Sequence, residues 1–322
     1  MYCHLLIPSL EGLDQAELAV IAPTFVRLKS LGVQQKIESP GFEQRLAELL
    51  IPPDLAPCRS IASICRNSLG LPAEGRWLCV SPVFLETGIE RIILHDLDSN
   101  HLFQNEADDL IEAFNQHFSD EGLIVELGSA GLWFMRLPDH LDITTHTIYS
   151  VRGKSIYHLL PSGKDSTYWH ALMNEVQMLF HQHPVNTARE RQGTTPVNGI
   201  WLWGESCLSG NAAIQRDFVV TDEPIARGLA SIECITCSGL DQGLPDADPS
   251  MHVLVVDDTL QRAVDYGDHD AWVAGMGALE KALFEPLCHA WNDRRLEGLI
   301  IESDGYSVTV RGRSRWRFWE RC

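Results

Sequence analysis

The segment "HPVNTARERQGTTPVNGIWLWG", His183 to Gly204, holds the densest set of groups able to grip a ligand. It writes Pro-Val-Asn twice, at 184–186 and 196–198, and places Arg189, Glu190 and Arg191 between the copies. Arg189 and Arg191 offer planar, fork-shaped donors suited to a phosphate or a carboxylate. Asn186 and Asn198 offer neutral donors, and Trp203 ends the apolar run that follows. A plainer role fits the same residues: the Asn amides tie down the chain after a helix, and the Arg side chains are surface charge. Both readings stay open on the sequence.

Other groups carry weaker chemistry. "DYGDHDAW", Asp265 to Trp272, has metal-ligand side chains, yet acids also favour a helix N-terminus. With Asp257 and Asp258, the metal candidates are Asp257, Asp258, Asp265 and His269. His181 and His183, two apart at a helix end, face away from each other. Cys234 and Cys237 form a lone C-x-x-C, without the second pair that a structural zinc site needs. Their surroundings, "ASIECITCSGL", predict a strand that turns the two thiols to opposite faces in a core role. The basic aromatic tail, "VRGRSRWRFWERC", alternates Arg311, Arg313, Arg315 and Arg317 with small or aromatic residues. It suits an anion or a partner, or a closing element in which Trp316 and Phe318 pack on the core.

Composition bounds what these groups can serve. The chain has 322 residues, 45% hydrophobic and 21% charged, an ordinary globular balance for one large domain or two. No apolar run approaches the ~20 residues of a membrane helix. "MYCHLLIPSLEG" lacks the basic flank of a leader and predicts a strand. Nine Cys, an odd number scattered through apolar segments, imply reduced thiols and a cytoplasmic location. The net charge of −19 repels nucleic acid. A local basic patch still suits a small anion.

The elements that must position these groups follow from periodicity. "YCHLLIP" reads as a strand. Pro23 to Leu31 reads as a helix stopped by Gly32, and "FEQRLAELL" as a short amphipathic helix. From "GRWLCVSPVFL" a strand, a turn at "ETG", the strand "ERIILHDL", the helix "NEADDLIEAFNQHF" and two strands, "GLIVELGS" and "GLWFMRLP", make a compact α+β unit over roughly 75–149. "STYWHALMNEVQMLFHQH" is the clearest helix, with Ser166 as its expected cap and Pro184 as its end. Beyond it, strands "GIWLW", "MHVLVVDD", "LEGLIIES" and "SVTVR" alternate with helices such as "DAWVAGMGALEKALFEPLCHAW". This implies a mostly parallel sheet covered on both sides. Ligands in such folds sit beyond the C-terminal strand ends. The loops after Pro8, Trp203 and Val256 are the expected places.

In this order, the loops resemble the archaeal-type cofactor-independent phosphoglycerate mutases of the alkaline phosphatase superfamily, and more closely the bacterial RpfE-type regulatory proteins. The HPVN segment, "MNEVQMLFHQHPVNTARERQGTTPVN", is the most specific match, beside "HLLIPSLEGL", "APTFVRLKSLG" and "VVDDTLQRAVDYGDHDAWVAGMGALEKAL". The resemblance implies an α/β core with an alkaline-phosphatase-like, mostly parallel sheet, formed by 1–74 and 150–322, with 75–149 inserted as an α+β domain. It also implies two divalent metals and a Ser nucleophile in the enzymes. Metal binding there takes an Asp directly after the first strand, where this chain has Ser9, and a late Asp-His, where it has Asp304 followed by Gly305. A neutral hydroxyl is a poor substitute for a carboxylate on a divalent cation.

The resulting expectation is a metal-depleted, non-catalytic or regulatory binder of a phosphorylated small molecule or a protein partner. The alternative is an active phosphomutase or phosphohydrolase with a reduced metal site. The ligand-binding candidates are Asn186, Arg189, Arg191, Asn198, Trp203 and Ser9. No cofactor is expected beyond a residual divalent metal (Mn, Mg or Zn), and neither nucleic acid nor membrane is an expected partner.

Overall fold

A computed structural model describes residues 1–12, 15–37, 41–52, 59–88, 91–97, 101–210, 212, 214–246, 248 and 250–311. The chain divides into two compact units, 1–55 with 209–322, and 56–208. Among the described residues no helix is long and apolar enough to cross a membrane.

The first unit is built on a sheet ordered Thr236–Ser238, Phe218–Val220, His252–Val256, Tyr2–Leu6, Gly298–Ser303, Tyr306–Arg311, Val33–Lys36. The first five strands run parallel, and the last two pairings are antiparallel, Tyr306–Arg311 alone running against the rest. The fold is therefore mixed α/β with a mostly parallel sheet, as the alternating pattern implied. Tyr2–Leu6 lies at its centre, Leu5 pairing with both Val255 and Ile301.

Strand alternation separates the two faces. Cys3, Leu5, Val253, Val255, Leu299 and Ile301 enter one core with Leu18, Phe25, Leu28, Met276 and Leu287. These come from the helices Gln15–Ile21, Pro23–Leu31, His269–Leu279 and Glu285–Asn292. The helix Phe42–Leu50 lies against the other face, where its Arg45 meets Glu302. Pro23–Leu31 starts on Pro and stops at Gly32, whose N–H reaches Lys29 O, as expected.

The predicted long helix from Asp270 to Trp291 is interrupted. Residues Glu280–Phe284 form a π turn just before Pro286. Proline has no N–H for the α ladder and its ring crowds the carbonyl four residues back, so a widened turn ahead of it relieves the clash. The turn has a use. It carries buried Glu280, whose carboxylate accepts from Thr24 N at 2.6 Å and Phe25 N at 3.1 Å. Those are donors in the first turn of Pro23–Leu31, which has no side-chain cap of its own.

The second unit is an antiparallel sheet with helices on it. Trp77–Thr87 pairs with Leu132–Arg136 through its first half and Ile92–Asp96 through its second. Val125–Ser129 completes the expected hairpin with Leu132–Arg136. Gly199–Trp203 pairs antiparallel along the other side of Trp77–Thr87, Val80 opposite Leu202. The helices Gln104–His117 and Ser166–His181 bring Leu110, Phe114, Trp169, Val176 and Phe180 onto Leu78, Val80, Trp133, Met135, Ile200 and Leu202.

Three expectations change here. The unit boundaries fall at 55/56 and 208/209 rather than 74/75 and 149/150, because "GIWLW" alternates Ile200 and Leu202 into this core. Ser166 is the first helical residue, not the cap; Asp165 precedes it without a side-chain capping bond. Pro184 ends one helix and opens another, Pro184–Gln192, capped by His183 Nδ1 accepting from Val185 N. Proline suits a first helical position because its missing N–H would be unpaired there anyway.

The two cores named above are each drawn from one unit. Residues 56–208 expressed by themselves are therefore expected to fold. Circular dichroism should show a single cooperative melt with the near-ultraviolet signal of packed Trp side chains. A non-cooperative melt would show that the unit needs the rest of the chain.

Candidate functional site

Parallel strands put their C-terminal ends, and the loops that follow, along one edge of a sheet. In the first unit that edge gathers Ser9, Asp257 and Asp304, each just beyond a strand. Ser9 adopts a left-handed backbone, φ 61°, a conformation that costs a non-glycine residue about 1–2 kcal/mol. What holds it is a ring of hydrogen bonds. Ser9 N donates to Asp304 Oδ2 at 2.9 Å, and Ser9 Oγ donates to Gln261 Oε1 at 2.7 Å, with Asp304 Oδ2 at 3.3 Å. Trp272 Nε1 donates to Ser9 O at 2.8 Å, and Gln261 Nε2 to Asp265 Oδ1 at 2.8 Å. Gly12 lets the loop pass against Trp272, since a Cβ there would lie 2.7 Å from the indole.

Asp257 is buried, its Oδ1 accepting from Thr259 N at 2.8 Å. Burial pushes its carboxyl above the ordinary value despite that bond. Asp268 caps the helix His269–Leu279 by accepting from Ala271 N, and His269 is an exposed first-turn residue. Asp257, Asp258, Asp265 and His269 are thus spread over a strand end, a loop and two helices. Among the described residues no three His, Cys, Asp or Glu side chains are grouped to share a metal. The donors at Ser9 do not fit a two-metal centre, because the hydroxyl is neutral and is given to Gln261.

The HPVN segment lies in the second unit and folds as a latch. Asn186 is 2% exposed. Its Nδ2 donates to Phe180 O and Val197 O, both at 2.7 Å, and its Oδ1 accepts from Val197 N at 2.8 Å. Asn198 does the same for Leu85, with Oδ1 accepting from Leu85 N at 2.6 Å and Nδ2 donating to Leu85 O at 3.0 Å. Buried Arg189 donates to Thr195 O, His101 O and Glu106 Oε2 at 2.7–2.8 Å. Trp203 is buried, Nε1 donating to Ser81 Oγ at 3.0 Å. Arg191 is exposed. Asn186 and Arg189, expected to grip an anion, work inside the unit, and the loop after Trp203 follows an antiparallel strand, not a parallel one.

Cys234 and Cys237 also differ from expectation. Cys234 is exposed in the left-handed turn that ends the helix Pro224–Ile232, and Cys237 is half-buried in Thr236–Ser238. The turn, closed by Ile235 N on Ala230 O, uses residues that the alternation assigned to the strand. Arg311 is exposed at a strand end, while Arg313, Arg315, Trp316, Arg317 and Phe318 lie outside the described residues.

The sequence reading missed a buried array of charged groups in the first unit. His4 and Glu302 face each other across paired strands, His4 Nε2 donating to Glu302 Oε2 at 3.0 Å. Arg216 Nη2 donates to His4 Nδ1 at 3.0 Å, and Arg45 holds both Glu302 oxygens. The two bonds fix a neutral imidazole with its proton on Nε2, because Nδ1 must accept. Burial accordingly pushes His4 below its ordinary value. Burial pushes Glu302 up, but the bonds from His4 and Arg45 outweigh it and hold the carboxyl at about 2. Nothing local in "YCHLL" or "GLIIES" announces this pairing across a separation of 298 residues.

Comparison with known proteins gives distant likeness. Over 119 residues, 36% of this chain, it is 29% identical to the 2,3-bisphosphoglycerate-independent phosphoglycerate mutase of Methanosarcina barkeri, covering 30% of that protein. Over 156 residues, 47% of this chain, it is 26% identical to the probable enzyme of that name from Geobacter sulfurreducens, covering 38% of it. The matches thus span well under half of those relatives' lengths. The solved structure of the PH0037 protein from Pyrococcus horikoshii aligns over 98% of this chain and 88% of its own, at 12% identity and a TM-score of 0.50. That likeness concerns the fold. No family model matches.

Two outcomes follow from the bonding. Asn186→Ala leaves Val197 N, Val197 O and Phe180 O unpaired, and is expected to cost about 3 kcal/mol. A calorimetric melt should then fall by roughly 6–12 °C. For Glu302→Gln, loss of one buried partner is expected to cost about 3 kcal/mol. Its folded pKa lies below the ordinary 4.5, so its contribution is present above pH 4.5 and lost as pH falls through about 2. His4, also lowered, adds a loss of the same sign that begins as pH falls below 6.5. Urea titrations across pH should show wild-type stability declining over that acidic span and Glu302→Gln declining less below pH 4.5.

Proposed function

We propose that this protein is a non-catalytic, regulatory relative of the cofactor-independent phosphoglycerate mutases, placed with the RpfE-type proteins and acting in the cytoplasm by binding a partner. The observation that supports this reading is Ser9. It stands where the resemblance calls for a metal-binding Asp, and its hydroxyl and backbone N–H are committed to Gln261 and Asp304. At this position the edge is thereby closed by its own hydrogen bonds, with a hydroxyl in place of a carboxylate.

Between the two ligand classes, the charges favour a protein over a phosphorylated metabolite. The donors expected to hold a phosphate, Asn186, Asn198 and Arg189, bond within the second unit. The strand-end edge carries Asp257, Asp258 and Asp304, and Lys29 is paired with Glu11. A phosphate brought there without a counter-charge meets repulsion.

The test is a coupled assay of 3-phosphoglycerate isomerisation, with phosphate release measured in parallel, in Mn, Mg and Zn in turn. No turnover above the uncatalysed rate is expected with any of them. 3-Phosphoglycerate is also expected to leave the melting temperature unchanged. Metal-dependent turnover abolished by Asp304→Asn would establish the active, reduced-site enzyme instead. Stabilisation without turnover would move the ligand class to the metabolite.

A further inference from the structure

The first unit contains a cavity of about 270 Å³ beside the strand-end edge. Its walls are apolar: Val220 and Val255 from the sheet, Leu240 and Leu244 from a loop, Leu279 and Leu283 from the helical segment opposite. That segment lines the space with three small residues at helical spacing, Gly275, Ala278 and Ala282, where larger side chains would fill it. The π turn Glu280–Phe284 contributes Ala282 and Leu283 to the same wall. Such turns are frequent at functional sites.

The polar groups of the lining set the chemistry. Asp257 is 6% exposed and lines the cavity at the end of the strand His252–Val256, and Asp241 lies exposed in the loop. Among the described lining residues none is basic. An apolar pocket with a buried carboxylate and no cation of its own is completed by a ligand that brings one. A cavity of ~150 Å³ accepts benzene, so this one takes roughly ten non-hydrogen atoms, a ring with a short chain.

We propose that this cavity is a binding site for a small aryl-alkyl amine, its ammonium group on Asp257 and its ring between Val255 and Leu279. The site shares Asp257 with the strand-end edge but does not depend on the regulatory reading, since it uses neither Ser9 nor Asp304.

Isothermal titration of the full chain with 2-phenylethylamine tests it, with 2-phenylethanol and phenylacetate as the neutral and anionic counterparts of the same shape. The amine is expected to bind in the micromolar to millimolar range, the alcohol at least about tenfold more weakly, and the acid weakest. Ala278→Phe, which fills the cavity from a rim position, should abolish amine binding. Asp257→Asn should bring amine and alcohol to similar affinity. Circular dichroism of both variants verifies the fold. Should Asp257→Asn not fold, the amine-over-alcohol preference in wild type and its loss in Ala278→Phe or, failing that, Ala282→Leu still decide the matter. Equal binding of the three compounds, no amine binding at about 10 mM, or amine binding unchanged by filling the cavity would each overturn the proposal.

Discussion

The first unit depends on one strand and its two parallel neighbours. Tyr2–Leu6 is the central strand, hydrogen-bonded in parallel to His252–Val256 on one side and Gly298–Ser303 on the other. Parallel neighbours require crossovers, so the core closes only when the last third of the chain returns to its first residues. Two consequences follow from this one constraint. The loops after all three strands collect on one edge, which creates the Ser9 cluster. The strand faces fall into register, which puts His4 opposite Ile300 and beside Glu302.

That register makes the His4 array a point of specificity. A buried carboxylate needs its partners, and removing one is far costlier than never burying the pair. Here the partners come from a strand, a helix and a loop: His4, Arg45 and Arg216. A one-residue slip of the first strand would turn His4 toward Phe25 and Leu287 in the apolar core and leave Glu302 without its imidazole. The array thus penalises misregistered sheets, although its side chains take no part in the Ser9 hydrogen bonds. Glu280 acts in the same way on a smaller scale, tying the π turn to the N-terminus of Pro23–Leu31.

Local pattern made much of the fold legible. "PTFVRLKSL" and "FEQRLAELL" announce their elements by periodicity and punctuation, and the structure keeps those bounds, while "MHVLVVDD" forms a strand only over His252–Val256. What pattern could not carry was the choice of sheet. "GIWLW" reads as a strand in either unit, and only its pairing with Trp77–Thr87 assigns it. The same limit applied to the site. Asn and Arg suit an anion or a backbone equally well, and the choice rests on whether Phe180 O, Val197 and Thr195 O stand nearby, which is long-range information. The acidic run "DYGDHDAW" was legible as a helix start because capping is local, and Asp268 is the residue that caps it. Cys234 was misread because a left-handed helix end interrupts what looks in sequence like continuous alternation.

Ser9 joins these threads. A left-handed backbone is entered most readily by Gly, Asn and Asp, and less readily by Ser. The conformation therefore suits a carboxylate at this position better than the hydroxyl that occupies it. The ring of bonds from Asp304, Gln261 and Trp272 offsets the cost at Ser9 by engaging its N–H, its hydroxyl and its carbonyl. A carboxylate in the same place would lose the Gln261 acceptor and face Asp304 with like charge, unless a cation lay between them. The loop geometry would thus accept an Asp at this position, while the hydrogen bonds are those of a loop that closes around the hydroxyl. In this chain the strand ends are locked by the neutral donors of Ser9 and Trp272, with Asp304 and Gln261 as acceptors, and acidic groups remain around them.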